Sequence, residues 1–122
     1  MAILSKKQLD KIDSFIISNG RKIDVAKWNY LFNGASKEEI LKELLKYQND
    51  DGGFGNGLEA DLLMPNSSSI ASTKAILIAY GYGLNCYDTW FKRLLDYFEK
   101  TVSERVTILS WGVEKLNIRQ GR

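Results

Sequence analysis

The chain has 122 residues, 44% of them hydrophobic and 26% charged, with one proline, a balance that fits a single globular domain and excludes a disordered one. A net charge of +2, from 17 basic and 15 acidic residues, is too small for the long-range field of a nucleic-acid binder, and the modestly basic tail through Arg105, Lys115, Arg119 and Arg122 reads as solvated. The single Cys86 cannot close an internal disulfide and, with no histidine present, has no imidazole to activate it, so Cys86 reads as structural and the expected setting is reducing and cytoplasmic.

Met1 to Leu4 runs straight into Ser5, Lys6 and Lys7, without the apolar core of an export signal. The longest apolar concentration, 75–80, falls far short of the roughly 20 residues a membrane helix needs, so neither export nor membrane insertion is expected.

Ser5 with Gln8 forms a capping box, and Leu9, Ile12, Phe15 and Ile16 recur at helical spacing until Asn19 and Gly20, which predicts a helix over 6–18. Residues 21–33 carry apolar side chains on more than one face and close at Gly34, predicting a second helix buried on two sides. Ser36 with Glu39 is a further capping box, and Ile40, Leu41, Leu44 and Leu45 form the stripe of a third helix ending at Tyr47 and Gln48.

From Asn49 to Ser69 no period is visible, a connection long enough to be either functional or a packed structural loop. Gly52, Gly53, Gly55 and Gly57 permit close backbone approach, Asp50 and Asp51 suit an Asx turn, and Phe54 is placed to anchor the loop. The serines 67, 68 and 69 offer caps for a fourth helix over 70–80, apolar all round at its centre and expected to be enclosed. Asp88 opens a fifth, with Phe91, Leu94, Leu95, Phe98 and Val102 on one face and Lys92, Arg93, Asp96, Glu99 and Lys100 on the other. Ser103 would cap a sixth helix carrying Val106, Leu109, Val113 and Leu116, although Val106, Thr107 and Ile108 also suit a strand. The expected class is all-α: one domain over 1–122, about six helices as αα-hairpins around a long glycine-rich loop.

The run Gln48, Asn49, Asp50, Asp51, Gly52, Gly53, Phe54 reads QxxDGGF and resembles the repeat signature of the squalene cyclase and prenyltransferase superfamily of α/α toroids. The similarity spans about Leu41 to Leu84, and the longer run QNDDGGFGNGLEAD followed by Pro65, Asn66 and serines is similar to a group of functionally uncharacterised bacterial proteins in that superfamily. The resemblance implies a partial toroid in which Gln48 and Phe54, with Asp51, Gly52 and Gly53, brace neighbouring repeats. Three departures separate the chain from the family's enzymes. Serines stand where the cyclases carry an acidic Asp-x-Asp-Asp-Thr-Ala run; a chain with one cysteine and no histidine cannot build the prenyltransferase zinc site; and about three hairpins fall short of the roughly five or more of a closed ring. Association between copies, or membership of a longer protein, is therefore expected.

Glu59 and Asp61 stand two apart after Gly57 and admit two readings: a catalytic acid with an ionised neighbour, or carboxylates that bond loop amides. Asp50 and Asp51 read as turn residues. An EF-hand is excluded, because setting Gly52 sixth puts Tyr47 first and Leu58 twelfth; no metal and no cofactor is expected. Trp28, Trp90, Trp111, Tyr80, Tyr82 and Tyr87 either line an aromatic cavity or serve as core and interface anchors. Two functions remain open: an apolar pocket for a terpenoid-like or carbohydrate ligand, bordered by Phe54, Asn56 and Tyr80 with Glu59 and Asp61 at its rim, or a noncatalytic module that forms a homo-oligomer through its exposed edges, with Trp90, Trp111 and Phe98 as anchors.

Overall fold

The structure, a computed structural model, describes residues 4–85 and 87–119, with side chains through Glu104. Among these, five helices follow one another: α1 (Lys6–Asn19), α2 (Lys22–Phe32), α3 (Lys37–Leu45), α4 (Ser69–Gly81) and α5 (Thr89–Arg119). The class is all-α, and the only extended pairing among the described residues is an isolated antiparallel bridge between Gln48 and Phe54.

The capping box at the start of α1 forms in both directions, Ser5 Oγ accepting from Gln8 N and Gln8 Oε1 from Ser5 N. At α3 the box does not form: Ser36 makes no side-chain cap, and the acidic Glu38 and Glu39 supply the favourable charge at that end. Ser68 caps α4 by accepting from Ala71 N at 3.0 Å. The sixth helix expected from Ser103 is instead a continuation of α5, which runs for 31 residues, about 46 Å. No glycine or proline interrupts 89–111, and Thr101 turns its hydroxyl back onto Tyr97 O within the helix, so a serine alone does not end it. Cys86, Trp111 and the basic side chains of the tail lie outside the described set.

The core gathers one face from four helices and the loop: Ile23 of α2, Ile40 and Leu44 of α3, Phe54 and Leu58 of the loop, Ala75 of α4 and Leu94 of α5 are all fully buried. Burying Phe54 alone is worth about 2–3 kcal/mol, which is why a connection without regular structure holds one shape. Neither α2 nor α4 is enclosed as their composition suggested. α2 buries Ile23 and Ala26 but exposes Tyr30, Leu31 and Phe32, and α4 buries Ala71, Ser72, Ala75, Ile78 and Ala79 but exposes Ile70 and Leu77. Five helices offer too few neighbours to cover both sides of a central one.

α1 buries no residue fully and docks on α2 through a polar clasp. Asp13 Oδ1 accepts from Trp28 Nε1 at 2.7 Å and from Asn33 Nδ2 at 2.8 Å.

Candidate functional site

The glycine loop is a packed frame laid on the first turns of α5. Gln48, three residues past the end of α3, donates its Nε2 to Gly52 O at 3.0 Å and to Trp90 O at 2.9 Å, tying the loop to itself and to α5. Arg93 returns the tie, its Nη2 donating to the carbonyls of Asn49 and Asp50 at 3.0 and 2.9 Å. Asp51 Oδ1 accepts from Gly53 N at 2.9 Å and from the Ser67 hydroxyl at 2.6 Å, the expected Asx turn stretched across to the residue before the cap of α4. Phe54 sits beneath, its N–H donated to the buried Ser72 Oγ at 2.9 Å and its ring edge-on to Trp90 at 6.2 Å. The glycines are required by proximity: a Cβ on Gly53 would stand 2.6 Å from Ser67 Cβ, and one on Gly55 2.6 Å from Pro65 O.

Asn56 takes a left-handed φ of 56° and bonds Asn49 Oδ1 and Tyr47 O, so it closes the loop and faces no cavity with Tyr80. Tyr80 is 86% exposed on the last turn of α4. Trp90 is 6% exposed and belongs to the core, which corrects its role as an interface anchor; Phe98 packs against the same core. The aromatics do not converge: Trp28 and Tyr82 line a groove beside α1 while Tyr80 and Tyr87 stand in solvent.

Glu59 is the candidate acid that meets a cavity. An open depression of about 510 Å³ is lined by Glu59, Ser69, Ile70, Thr73, Lys74 and Leu77, with Glu59 Oε2 at 3.7 Å from Lys74 Nζ. Asp61 is exposed and does not line it, so the two carboxylates are not brought together there. What the wall offers chemically is the aliphatic surface of Ile70 and Leu77 beside the hydroxyls of Ser69 and Thr73, with Glu59 and Lys74 at the rim, suited to holding a hydrocarbon that ends in a polar group.

Behind Glu59, Arg21 donates its Nη1 to the carbonyls of Gly57 and Leu58 at 2.8 and 3.1 Å and its Nε to Asp24 Oδ2 at 3.0 Å, fixing the segment that presents Glu59. Burial opposes ionisation of Asp24, but the bond and charge of Arg21, helped by Lys27, outweigh it and hold Asp24 below the ordinary carboxylate value. For Lys27 burial dominates and pushes the ammonium below the usual lysine value, against Asp24 and with a smaller push from Lys74.

Arg21, Ser72 and Arg93, which hold the loop, and Lys74, which borders the depression, are residues that the sequence did not single out. Lys74 carried a signal, being the one charge within 70–80. Arg93 was read onto the solvent face of α5 and carried none, because its partners are backbone carbonyls more than 40 residues earlier.

Comparison with protein-family models, curated proteins and solved structures finds no match to this chain.

Proposed function

We propose that this chain is a helical module of the α/α-toroid type that holds an apolar, terpenoid-like ligand against the outer face of α4, with Glu59 and Lys74 at the rim. The reading is carried by the split of α4: its small residues face the core while Ile70 and Leu77, 61% and 64% exposed, line the depression that Glu59 and Lys74 border. Aliphatic walls favour a branched hydrocarbon over a sugar ring, which needs flat aromatic platforms and many hydrogen-bonding partners. The QxxDGGF resemblance supports the same side, because in such toroids the helix after the signature belongs to the other of the two rings of helices.

Farnesol titrated into the protein by calorimetry tests this. Binding to the wild type, abolished by Leu77→Asp with unchanged helix content by circular dichroism, is the expected result. No binding up to the solubility limit of the alcohol removes the reading.

A second reading, a noncatalytic module that self-associates, draws on Phe15, Leu31 and Phe32, exposed at the α1–α2 edge. Its test is the oligomeric state in solution.

A further inference from the structure

Asparagine followed by glycine occurs three times, at Asn19–Gly20, Asn33–Gly34 and Asn56–Gly57. In such a pair the glycine amide nitrogen can attack the asparagine side-chain carbon, because the second residue has no side chain to crowd the approach. A bond forms between that nitrogen and Cγ, the Cγ–Nδ2 bond breaks, and the proton of the glycine amide leaves with Nδ2 as ammonia. Water then opens the cyclic imide to an aspartate or its β-linked isomer, and nothing is oxidised or reduced.

The fold separates the three pairs. Asn19 is the last residue of α1, and the attacking nitrogen there is engaged, Gly20 N donating to Ile16 O at 2.7 Å. Asn56 is locked into the glycine loop, its N–H on Met64 O and its Nδ2 on Asn49 Oδ1, both at 2.9 Å, with Leu63 packed 3.5 Å from the Cβ position of Gly57. Asn33 is the C-cap of α2 with a ψ of 16°, so the peptide after it must turn to bring Gly34 N onto Cγ. Room for that turn exists: Asn33 and Gly34 are both exposed, and among the described residues nothing lies within 4 Å of a Cβ built on Gly34.

The reaction would change the side chain that holds α1. Asn33 Nδ2 donates to Asp13 Oδ1 at 2.8 Å and to Asn29 Oδ1 at 2.9 Å. A carboxylate in its place has no proton to give either acceptor, and it faces Asp13, whose own ionised form those amide and indole bonds favour. The new charge also stands at the C-terminal, negative end of α2. Because α1 buries no residue fully, apolar packing does little to keep it docked once the clasp is lost.

We infer that Asn33 is a self-modifying site whose conversion to a carboxylate is a one-way release of α1 from α2, set by elapsed time instead of by a ligand.

The test ages the full chain at mildly alkaline pH and reads its tryptic peptides, which carry the three asparagines separately, by mass spectrometry for amide turned to acid. Position 33 should convert several-fold faster than 19 or 56. Asn33→Asp, which imitates the acid product, should shift the Trp28 indole resonance and let trypsin cut at Lys11 several-fold faster than in the wild type. Gly34→Ala, which crowds the attack and keeps the amide, should hold the Trp28 resonance in place through the same incubation. Conversion at 19 or 56 ahead of 33 overturns the site; an Asn33→Asp protein with Trp28 and cleavage at Lys11 unchanged overturns the release. Should Gly34→Ala melt early, the peptide map and the Asn33→Asp readouts decide.

Discussion

Gly52 lies directly against the backbone of Arg93: a Cβ at Gly52 would stand 2.7 Å from the Arg93 carbonyl carbon and closer still to its oxygen. Loop and helix touch here main chain to main chain, and the contact is what lets Arg93 and Gln48 reach across it.

Gly52→Ala should therefore cost stability twice, through a φ of +89° and through a collision with a backbone that cannot swing aside. Gly34 is the internal control, with a φ of +71° and nothing within 4 Å of its absent Cβ. Gly34→Ala is expected to lose about 1 kcal/mol, Gly52→Ala upward of about 3 kcal/mol, in denaturant unfolding. Equal losses would mean that the loop does not lie on α5.

The buried Ser72 contact and the half-buried Gln48 amide that hold the loop give the next prediction. Ser72→Ala removes the acceptor of Phe54 N–H in a fully buried place and should cost about 1–3 kcal/mol, although the side chain lost is small. Gln48→Glu is the harsher change, because it turns an amide that donates to two carbonyls into a carboxylate that repels both. Thermal melts should order wild type above Ser72→Ala above Gln48→Glu; a stable Gln48→Glu protein would show that the amide bonds contribute little.

The clasp between α1 and α2 is sensitive to acid. Bonds from Asn33 and Trp28 hold the Asp13 carboxyl below its ordinary value, against a slight opposing effect of burial. A depressed carboxyl stabilises fully above its unfolded value, about 3.9, and the contribution is lost as pH falls through the folded one. The indole N–H resonance of Trp28 should accordingly stay put through pH 5 and move only below about pH 4. In Asp13→Asn, which keeps an acceptor but no charge, it should not titrate; a Trp28 resonance that moves identically in both proteins would assign the transition to another group.

The residues show which parts of this architecture a linear reading reaches. The loop was legible because its determinants are local: Gln48, Asp51, the glycines and Phe54 lie within seven positions, and each does the work its chemistry suggests. The first four helices were legible from their apolar pattern and, at α1 and α4, from their caps. The break at Ser103 was misplaced because a cap residue is a permission to start a helix, and only tertiary contact or a breaker such as Gly or Pro ends the one before. Trp90 was misjudged because the α5 stripe does not say which aromatic meets Phe54, and Lys74 was passed over because its partner Glu59 lies in the loop, 15 positions earlier.

Association is the last expectation, and the exposed side chains redirect it. Trp90 is spent on the core, so among the described residues the exposed apolar candidates for a contact between copies include Ile70 and Leu77 with Tyr80 on α4, and Phe15 with Leu31 and Phe32 at the α1–α2 edge. Contiguous apolar surface of this kind favours burial against a second copy, and a twofold is the simplest closed arrangement for a self-complementary patch. Light scattering at micromolar concentration is expected to give about twice the monomer mass of 13.9 kDa. The two surfaces are separable by charge. Leu77→Glu should yield a folded monomer if α4 is the contact, and Leu31→Glu if it is the α1–α2 edge, since one unpaired carboxylate buried in such a contact costs several kcal/mol. A wild-type monomer would refute association, and would leave the α4 face open to the small ligand proposed for it.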